Sequence, residues 1–176
     1  MYKLLLICIL FISSISFSQT KKYSIPENEP AIISIDIDTS LFELNYSEKF
    51  VNITPIMDNN EDRLVCMLWK SSDPDNEKAL EKLSLEAFSL IEKTLVNLHW
   101  GDETTNFDRN GVSFIALDGY GYYLNSDNTS DLMSTSLILF MPDNNNKFAM
   151  IFFGTVESLE KYEQELLKSI YSIKSI

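Results

Sequence analysis

The chain has 176 residues, a mass of 20.2 kDa and a formal net charge of −12, from 14 Lys and Arg against 26 Asp and Glu. Apolar residues make up 45%, with only 5 Gly and 5 Pro, which argues against a collagen-like, linker-rich or disordered chain. The length suits one domain with a hydrophobic core. Because like charges repel, the acidic balance argues against nucleic acid as a partner.

The first residues have the pattern of an export signal. Lys3 gives a short positive start, residues 4–12 are unbroken apolar sequence, and a serine-rich stretch follows as far as Ser18. The run is shorter than the roughly 20 apolar residues that span a bilayer, so a cleaved signal peptide is expected over residues 1–19. The alternative is a buried N-terminal helix. The signal predicts a periplasmic or secreted protein, and the Asn-, Lys- and Ile-rich sequence is typical of bacteria.

Residues 20–30 are predicted to be an irregular lead-in, and residues 31–176 a single domain. No apolar stretch after the signal is long enough for a membrane span. Signal cleavage would also remove Cys8, which would leave Cys66 as the only thiol and exclude an intrachain disulfide. The apolar surroundings of Cys66 favour core packing over a role as a nucleophile.

Alternating apolar and polar residues predict strands in the first half of the domain. Two alternating runs cover residues 33–38 and 42–46. The pattern continues weakly over residues 51–57, where Pro55 is expected to end the strand or place it at an edge. The continuous apolar run over residues 64–69 indicates a strand that is covered on both faces.

An amphipathic helix of five or six turns is predicted next. Asp73 is a residue type favoured at the N-cap, and Pro74 is one favoured at the first helical position. Apolar residues recur at spacings of three and four over residues 80–98, and charged residues lie mostly off that stripe. The helix is expected to end near Gly101, a natural C-cap. The stripe residues expected in the core are Leu83, Phe88 and Ile91.

More strands are predicted in the second half. After a polar loop over residues 102–110, residues 111–125 form two strands or one bent strand, interrupted by glycines. Residues 133–141 and 147–155 are predicted to pair across a turn that begins at Pro142.

A second helix is predicted to close the chain. Thr155 has the residue type of an N-cap, and an apolar stripe runs from Leu159 to Ile173. Strands joined by short turns, together with two one-sided helices, predict an α+β fold. We expect a mainly antiparallel sheet whose apolar face packs against the two amphipathic helices.

Several of these pieces resemble the PsbP-like fold family, mainly over residues 83–176. They are the helix segment Leu83–Phe88, the strand ending Leu117–Tyr120, the hairpin around Pro142 and the end of the terminal helix, Leu167–Ile173. The resemblance implies a non-enzymatic binding or accessory scaffold. It names no partner, because one fold hosts many functions.

The sequence offers little catalytic, metal or cofactor chemistry. His99 is the only histidine and is expected at a helix C-terminus, where a capping role is favoured over catalysis. Cys66 and His99 together cannot complete a structural zinc cage. No Gly-x-Ser-x-Gly nucleophile motif is present, and Gly119-x-Gly121 lacks the third glycine of a dinucleotide site. We therefore predict no catalytic, metal or cofactor-binding residues.

A calcium loop is also disfavoured. The residues Asp58, Asn60 and Asp62 have the first spacings of an EF-hand. Arg63 and Trp69 stand where the loop requires Gly and Glu, so the match fails.

Tyr120, Tyr122 and Tyr123 are the candidate partner-binding residues. One interpretation is that they fill the two faces of a sheet, with Gly119 and Gly121 shaping the backbone. The other is that they are exposed and bind a glycan or a partner protein, since aromatic residues are favoured at the centres of interfaces.

The leading hypothesis is an exported non-catalytic binding or accessory domain, whose partner is a protein or an envelope component. One alternative is a small secreted hydrolase with acids from loops 102–110 and 126–131, since glycoside hydrolysis needs only two carboxylates. Another is an acidic inhibitor or immunity protein that caps a basic enzyme through complementary charge.

Overall fold

The computed structural model describes residues 19–27, 30–56, 63–73 and 76–176. Three predicted features lie outside the described residues. They are almost all of the signal peptide, the EF-hand-like residues 58–62 and the helix start at Pro74. The described elements, in chain order, are β1 (Thr20–Ile25), β2 (Ile33–Asp38), β3 (Phe42–Tyr46), β4 (Val51–Pro55), β5 (Leu64–Lys70), α1 (Asn76–Glu92), β6 (Val96–Trp100), β7 (Thr105–Arg109), β8 (Val112–Leu124), β9 (Ser130–Met141), β10 (Phe148–Thr155), α2 (Val156–Ser172) and β11 (Lys174–Ser175).

The strands form two sheets. The small sheet has the order β1-β2-β11, and the large sheet has the order β3-β4-β5-β10-β9-β8-β6, with β7 also paired to β8. All the pairings in the described residues are antiparallel. The prediction of an α+β fold with a mainly antiparallel sheet is confirmed.

The large sheet has a core on each face. Ile138 and Phe140 of β9 point into a first core, which α2 and the small sheet cover. Leu137 and Leu139, their neighbours along the strand, point into a second core, which α1 covers. The two helices therefore lie on opposite faces of the sheet, whereas one common apolar face was expected. This arrangement explains the continuous apolar run of β5, which is buried from both sides.

The irregular lead-in predicted for residues 20–30 needs correction. Residues 20–25 form β1, which pairs with β2 from Thr20 opposite Asp38 to Ile25 opposite Ile33. β1 is an edge strand and its first three residues are exposed. An edge strand of this kind carries little hydrophobic alternation, so the sequence pattern did not reveal it.

The predicted end of the first helix is also wrong. α1 ends at Glu92, and the backbone N–H of Leu95 still donates to the Ile91 carbonyl, at 2.8 Å. Residues 96–100 form β6, which includes a left-handed Asn97 (φ 50°). The register of β6 against β8 shifts beside Asn97, as in a β-bulge. Because of this irregularity, the apolar residues of the segment have the spacing of a helical stripe.

Two local predictions in the second half are settled by β7 and β8. The polar loop predicted over residues 102–110 contains the strand β7, which pairs with β8 from Thr105 to Arg109. Within residues 111–125, Val112–Leu124 form one long strand, β8, rather than two. β7 was missed because four of its five residues are exposed and polar.

The closing helix follows its prediction. The Thr155 side chain accepts a hydrogen bond from the backbone N–H of Ser158, and Tyr162, Leu166 and Ile170 are buried. The Ser172 hydroxyl accepts a hydrogen bond of 2.7 Å from the backbone N–H of Asp36, which ties the end of α2 to the small sheet.

Cys66 lies fully inside the first core, and burial raises the pKa of its thiol to about 12. We expect the native protein to resist alkylation of Cys66 by iodoacetamide at about pH 8, because the thiolate is the reactive form and is scarcely populated. In urea the same thiol should react readily, with a pKa of about 8.5. Peptide mass analysis would locate the adduct. Fast modification of Cys66 in the folded protein would contradict its burial.

Candidate functional site

One end of the large sheet carries a cluster of exposed apolar side chains. Tyr120, Tyr122 and Leu124 of β8 are 50%, 37% and 57% exposed. Leu132 of β9 lies opposite Tyr122 and is 45% exposed, and Val96 of β6 lies on the other side of Tyr122 and is also exposed. We call these five residues the open-end patch.

Strand alternation places the open-end patch on the same face of the sheet as α2. Along β8, Ala116, Asp118, Tyr120, Tyr122 and Leu124 follow at intervals of two, and alternate residues share a face. Ala116 and Asp118 line the groove beside α2, although Asp118 is itself exposed, and the last three residues are exposed beyond that groove. The patch is therefore an uncovered continuation of the sheet face that α2 packs against.

The structure separates the three candidate tyrosines. Tyr120 and Tyr122 lie together on the open-end patch, but Tyr123 points to the opposite face. The guanidinium of Arg63 lies 5.5 Å from the centre of the Tyr123 ring and forms an ion pair of 2.7 Å with Asp131. Tyr123 is as exposed as Tyr122, so the two differ mainly in the face that they occupy.

Two glycines allow β6 to approach β8 beside the patch. A Cβ on Gly119 would lie 2.7 Å from the His99 carbonyl oxygen and 2.8 Å from the Trp100 ring. A Cβ on Gly121 would lie 3.1 Å from the Leu95 Cβ. The close approach lets the His99 ring stack on Tyr120, with centroids 5.2 Å apart. His99 thus lies at the margin of the patch, whereas a helix C-terminus was expected.

A groove of about 530 Å³ continues from the patch along α2. Its floor is the sheet, its wall is the side of α2 next to the buried stripe, and Phe107 of β7 closes the end away from the patch. The floor and wall are mainly apolar, and three carboxylates also line the groove. The apolar members are Phe107, Ala116, Ile138, Phe152, Val156, Leu159, Leu166, Leu167 and Ile170; the acidic ones are Asp118, Glu160 and Glu163.

The carboxylates differ in their surroundings. Asp118 accepts a hydrogen bond from the Ser136 hydroxyl on the groove floor. Glu160 and Glu163 are exposed on α2. Val156, at the first position of α2, is exposed and also lines the groove. These acidic and apolar neighbours could not be identified from sequence, because they come from segments that only the fold brings together.

The two acids of one predicted hydrolase loop, residues 126–131, support local structure. Hydrogen bonds from the Thr129 side chain and backbone lower the pKa of Asp127. Asp131 pairs with Arg63. A general acid at neutral pH needs a raised pKa, and Asp127 shows the opposite shift.

A larger depression, of about 630 Å³, lies between the end of β1 and the β3–β4 turn. Its walls are tied together by structural contacts. Phe50 packs edge-on against Trp69, with centroids 5.5 Å apart, while the ammonium of Lys49 and the indole N–H of Trp69 both contact Glu86. The groove beside α2 is the better candidate site, since it joins exposed apolar surface.

Two further observations concern metals and membranes. Within residues 19–27, 30–56, 63–73 and 76–176, no three His, Cys, Asp or Glu residues form a group that could hold a metal ion. In the same ranges, neither helix combines the length and the apolar character needed to cross a bilayer.

The architecture defines a PsbP-like α+β fold. Cyanobacterial PsbP from Synechocystis sp. PCC 6803 matches with a TM-score of 0.52 and 10% identity, over 93% of this chain and 96% of that one. LpqN of Mycobacterium tuberculosis, described as involved in cell envelope biogenesis, matches with a TM-score of 0.50 and 14% identity, over 89% and 91%. No family model and no curated protein matches the sequence. The PsbP-like resemblance is thus confirmed at the level of fold, from which function does not follow.

Proposed function

We propose that the protein is an exported, non-catalytic binding domain that holds a protein or envelope component on the open-end patch. The observation that carries the proposal is the row of exposed apolar side chains from Tyr120 to Leu124, flanked by Val96 and Leu132. Contiguous apolar surface of this kind marks interaction sites on monomeric proteins. Tyrosine is also among the residues that are enriched in interface cores.

Export and accessory function draw support from outside the patch. The signal-like sequence over residues 1–19 supports export. The proteins of similar fold include an envelope-biogenesis protein and a PsbP, and neither is described as an enzyme, which supports an accessory role. A bacterial envelope component is therefore the partner that we propose.

The two alternatives make different demands on the same structure. A hydrolase would need two convergent carboxylates. Besides the acids of loops 102–110 and 126–131, it could draw on Asp118, Glu160 and Glu163, which line the groove. An inhibitor or immunity protein would need only the acidic surface that the net charge of −12 provides. Neither alternative uses the apolar side chains of the open-end patch, so the patch distinguishes them from the proposed function.

A photo-crosslinking experiment in the native host tests the proposed function. With p-benzoyl-phenylalanine at position 122, ultraviolet light should give a discrete adduct, since that side chain would lie in the interface. The same replacement at position 123 should give little of it. Positions 122 and 123 are adjacent and similarly exposed, but they lie on opposite faces of the sheet.

The adduct should also disappear when a second change removes the patch around the probe. Leu132→Ser, opposite position 122, is the suitable variant because the side chain is already exposed. A folded protein that gives no adduct at position 122, or equal adducts at positions 122 and 123, would contradict the proposed function.

A further inference from the structure

We infer that the open-end patch and the groove together accept a cationic amphipathic helix of a partner protein. This inference rests on the proposed function and names the class of partner segment. Three features of the described surface lead to this inference: its length, its acidic rim and the part of the sheet face that no helix covers.

The surface has the length of a helix rather than of a small ligand. On β8 the shared face extends from Ala116 in the groove to Leu124 in the patch. Nine strand residues cover about 26 Å at about 3.3 Å per residue. A helix that rises about 1.5 Å per residue covers the same length in about 18 residues.

The charges of the surface favour a basic partner. Glu160 and Glu163 project from the wall of the groove, and Asp118 lies on its floor. The guanidinium of Arg109 lies at the end of the groove away from the patch, where it stacks on the Tyr171 ring at 4.5 Å. The surface next to the patch is therefore apolar with an acidic margin. Lysines or arginines that flank an apolar stripe would complement it.

The layer structure explains why the occupant should be helical. α2 covers the sheet face beside the groove, while the part formed by β6, β8 and β9 lies bare next to the first turn of α2. A sheet face is stably covered by a second layer, commonly of helices. An amphipathic helix laid against an apolar groove is also a recurring mode of peptide recognition.

The test uses the purified protein and fluorescent Leu/Lys peptides of about 18 residues, the length derived from the helical rise. In the first peptide, leucines follow helical spacing. The second has the same composition in scrambled order, and the third has glutamate in place of lysine. We expect fluorescence anisotropy to show saturable binding of the first peptide alone.

Paired variants locate the binding site. The double variant E160K/E163K should weaken binding about tenfold or more, because it turns an attractive rim into a repulsive one. The control E81K/E92K makes the same change of net charge at exposed positions of α1, on the opposite face, and should change binding less than about twofold. Tyr122→Ser should also weaken binding, whereas Tyr123→Ser should not. Circular dichroism would establish that each variant is folded.

The outcomes separate this inference from the proposed function. Equal losses in E160K/E163K and E81K/E92K, or equal binding of the scrambled peptide, would overturn the inference, since both results indicate general attraction to an acidic protein. Absence of peptide binding, together with a specific adduct at position 122, would overturn the inference and leave the proposed function standing. Absence of the adduct at position 122 would contradict the proposed function itself.

Discussion

Replacing Leu83 or Ile91 with alanine is expected to lower the free energy of unfolding by about 2–5 kcal/mol, the usual range for a large aliphatic side chain removed from a core. Both side chains are fully buried on the inner face of α1, in the core that Leu137 and Ile151 of the sheet complete. The loss combines the transfer of apolar surface with a cavity that the surrounding strands fill only in part. Urea unfolding followed by circular dichroism would measure it.

The outer face of α1 provides the control. Glu81 is exposed, so Glu81→Ala should change the free energy of unfolding by no more than about 0.5 kcal/mol. Lys82 is a poorer control because it forms an ion pair with Asp73. Phe88 is half-buried, edge-on to Trp100 at 5.1 Å, and should give an intermediate loss. Similar small effects at Leu83, Ile91 and Glu81 would show that the burial assigned to α1 is wrong.

Much of the fold was predictable because the buried elements carry strong patterns. The alternation over residues 33–38 and 42–46 corresponds to β2 and β3, and Pro55 is the last residue of β4. The strip of apolar residues on α2 was also predicted, together with its cap at Thr155. In each case the apolar residues that define the pattern are buried or partly buried in the structure.

The elements that were missed have weak or misleading patterns. β1 and β7 are largely exposed, so neither buries enough apolar surface to impose alternation on its sequence. β6 is bulged, and the buried Leu95 and half-buried Leu98 keep the spacing of the preceding helix although neither belongs to it. Hydrophobic spacing alone therefore cannot fix where α1 ends.

The candidate site was predictable only in part. The sequence identifies the tyrosine cluster as a candidate site. Strand alternation alone also places Tyr120 and Tyr122 on one face of the sheet and Tyr123 on the other. Their exposure depends on how much of the sheet α2 covers, which is a property of packing. The groove lies between β8 and α2. In the sequence, Glu160 and Glu163 are ordinary polar positions of a helix, and only the fold brings them to the groove that Asp118 also lines.

Gly119→Ala is expected to destabilise the protein by about 1–3 kcal/mol, the range for an overpacked site, and to disturb the patch as well. The added Cβ would lie 2.7 Å from the His99 carbonyl oxygen, and neither this backbone atom nor the Trp100 ring, which packs against Phe88, can move without shifting β6.

Such a shift of β6 would separate the His99 ring from Tyr120, so their side-chain NMR resonances should change. Gly111→Ala is the matched control. Its Cβ would meet nothing within 4 Å, although Gly111 has a φ of +77°, so it should cost about 1 kcal/mol of backbone strain and leave the His99 and Tyr120 resonances in place. Unchanged His99 and Tyr120 resonances in Gly119→Ala would show that close packing of β6 does not shape the patch.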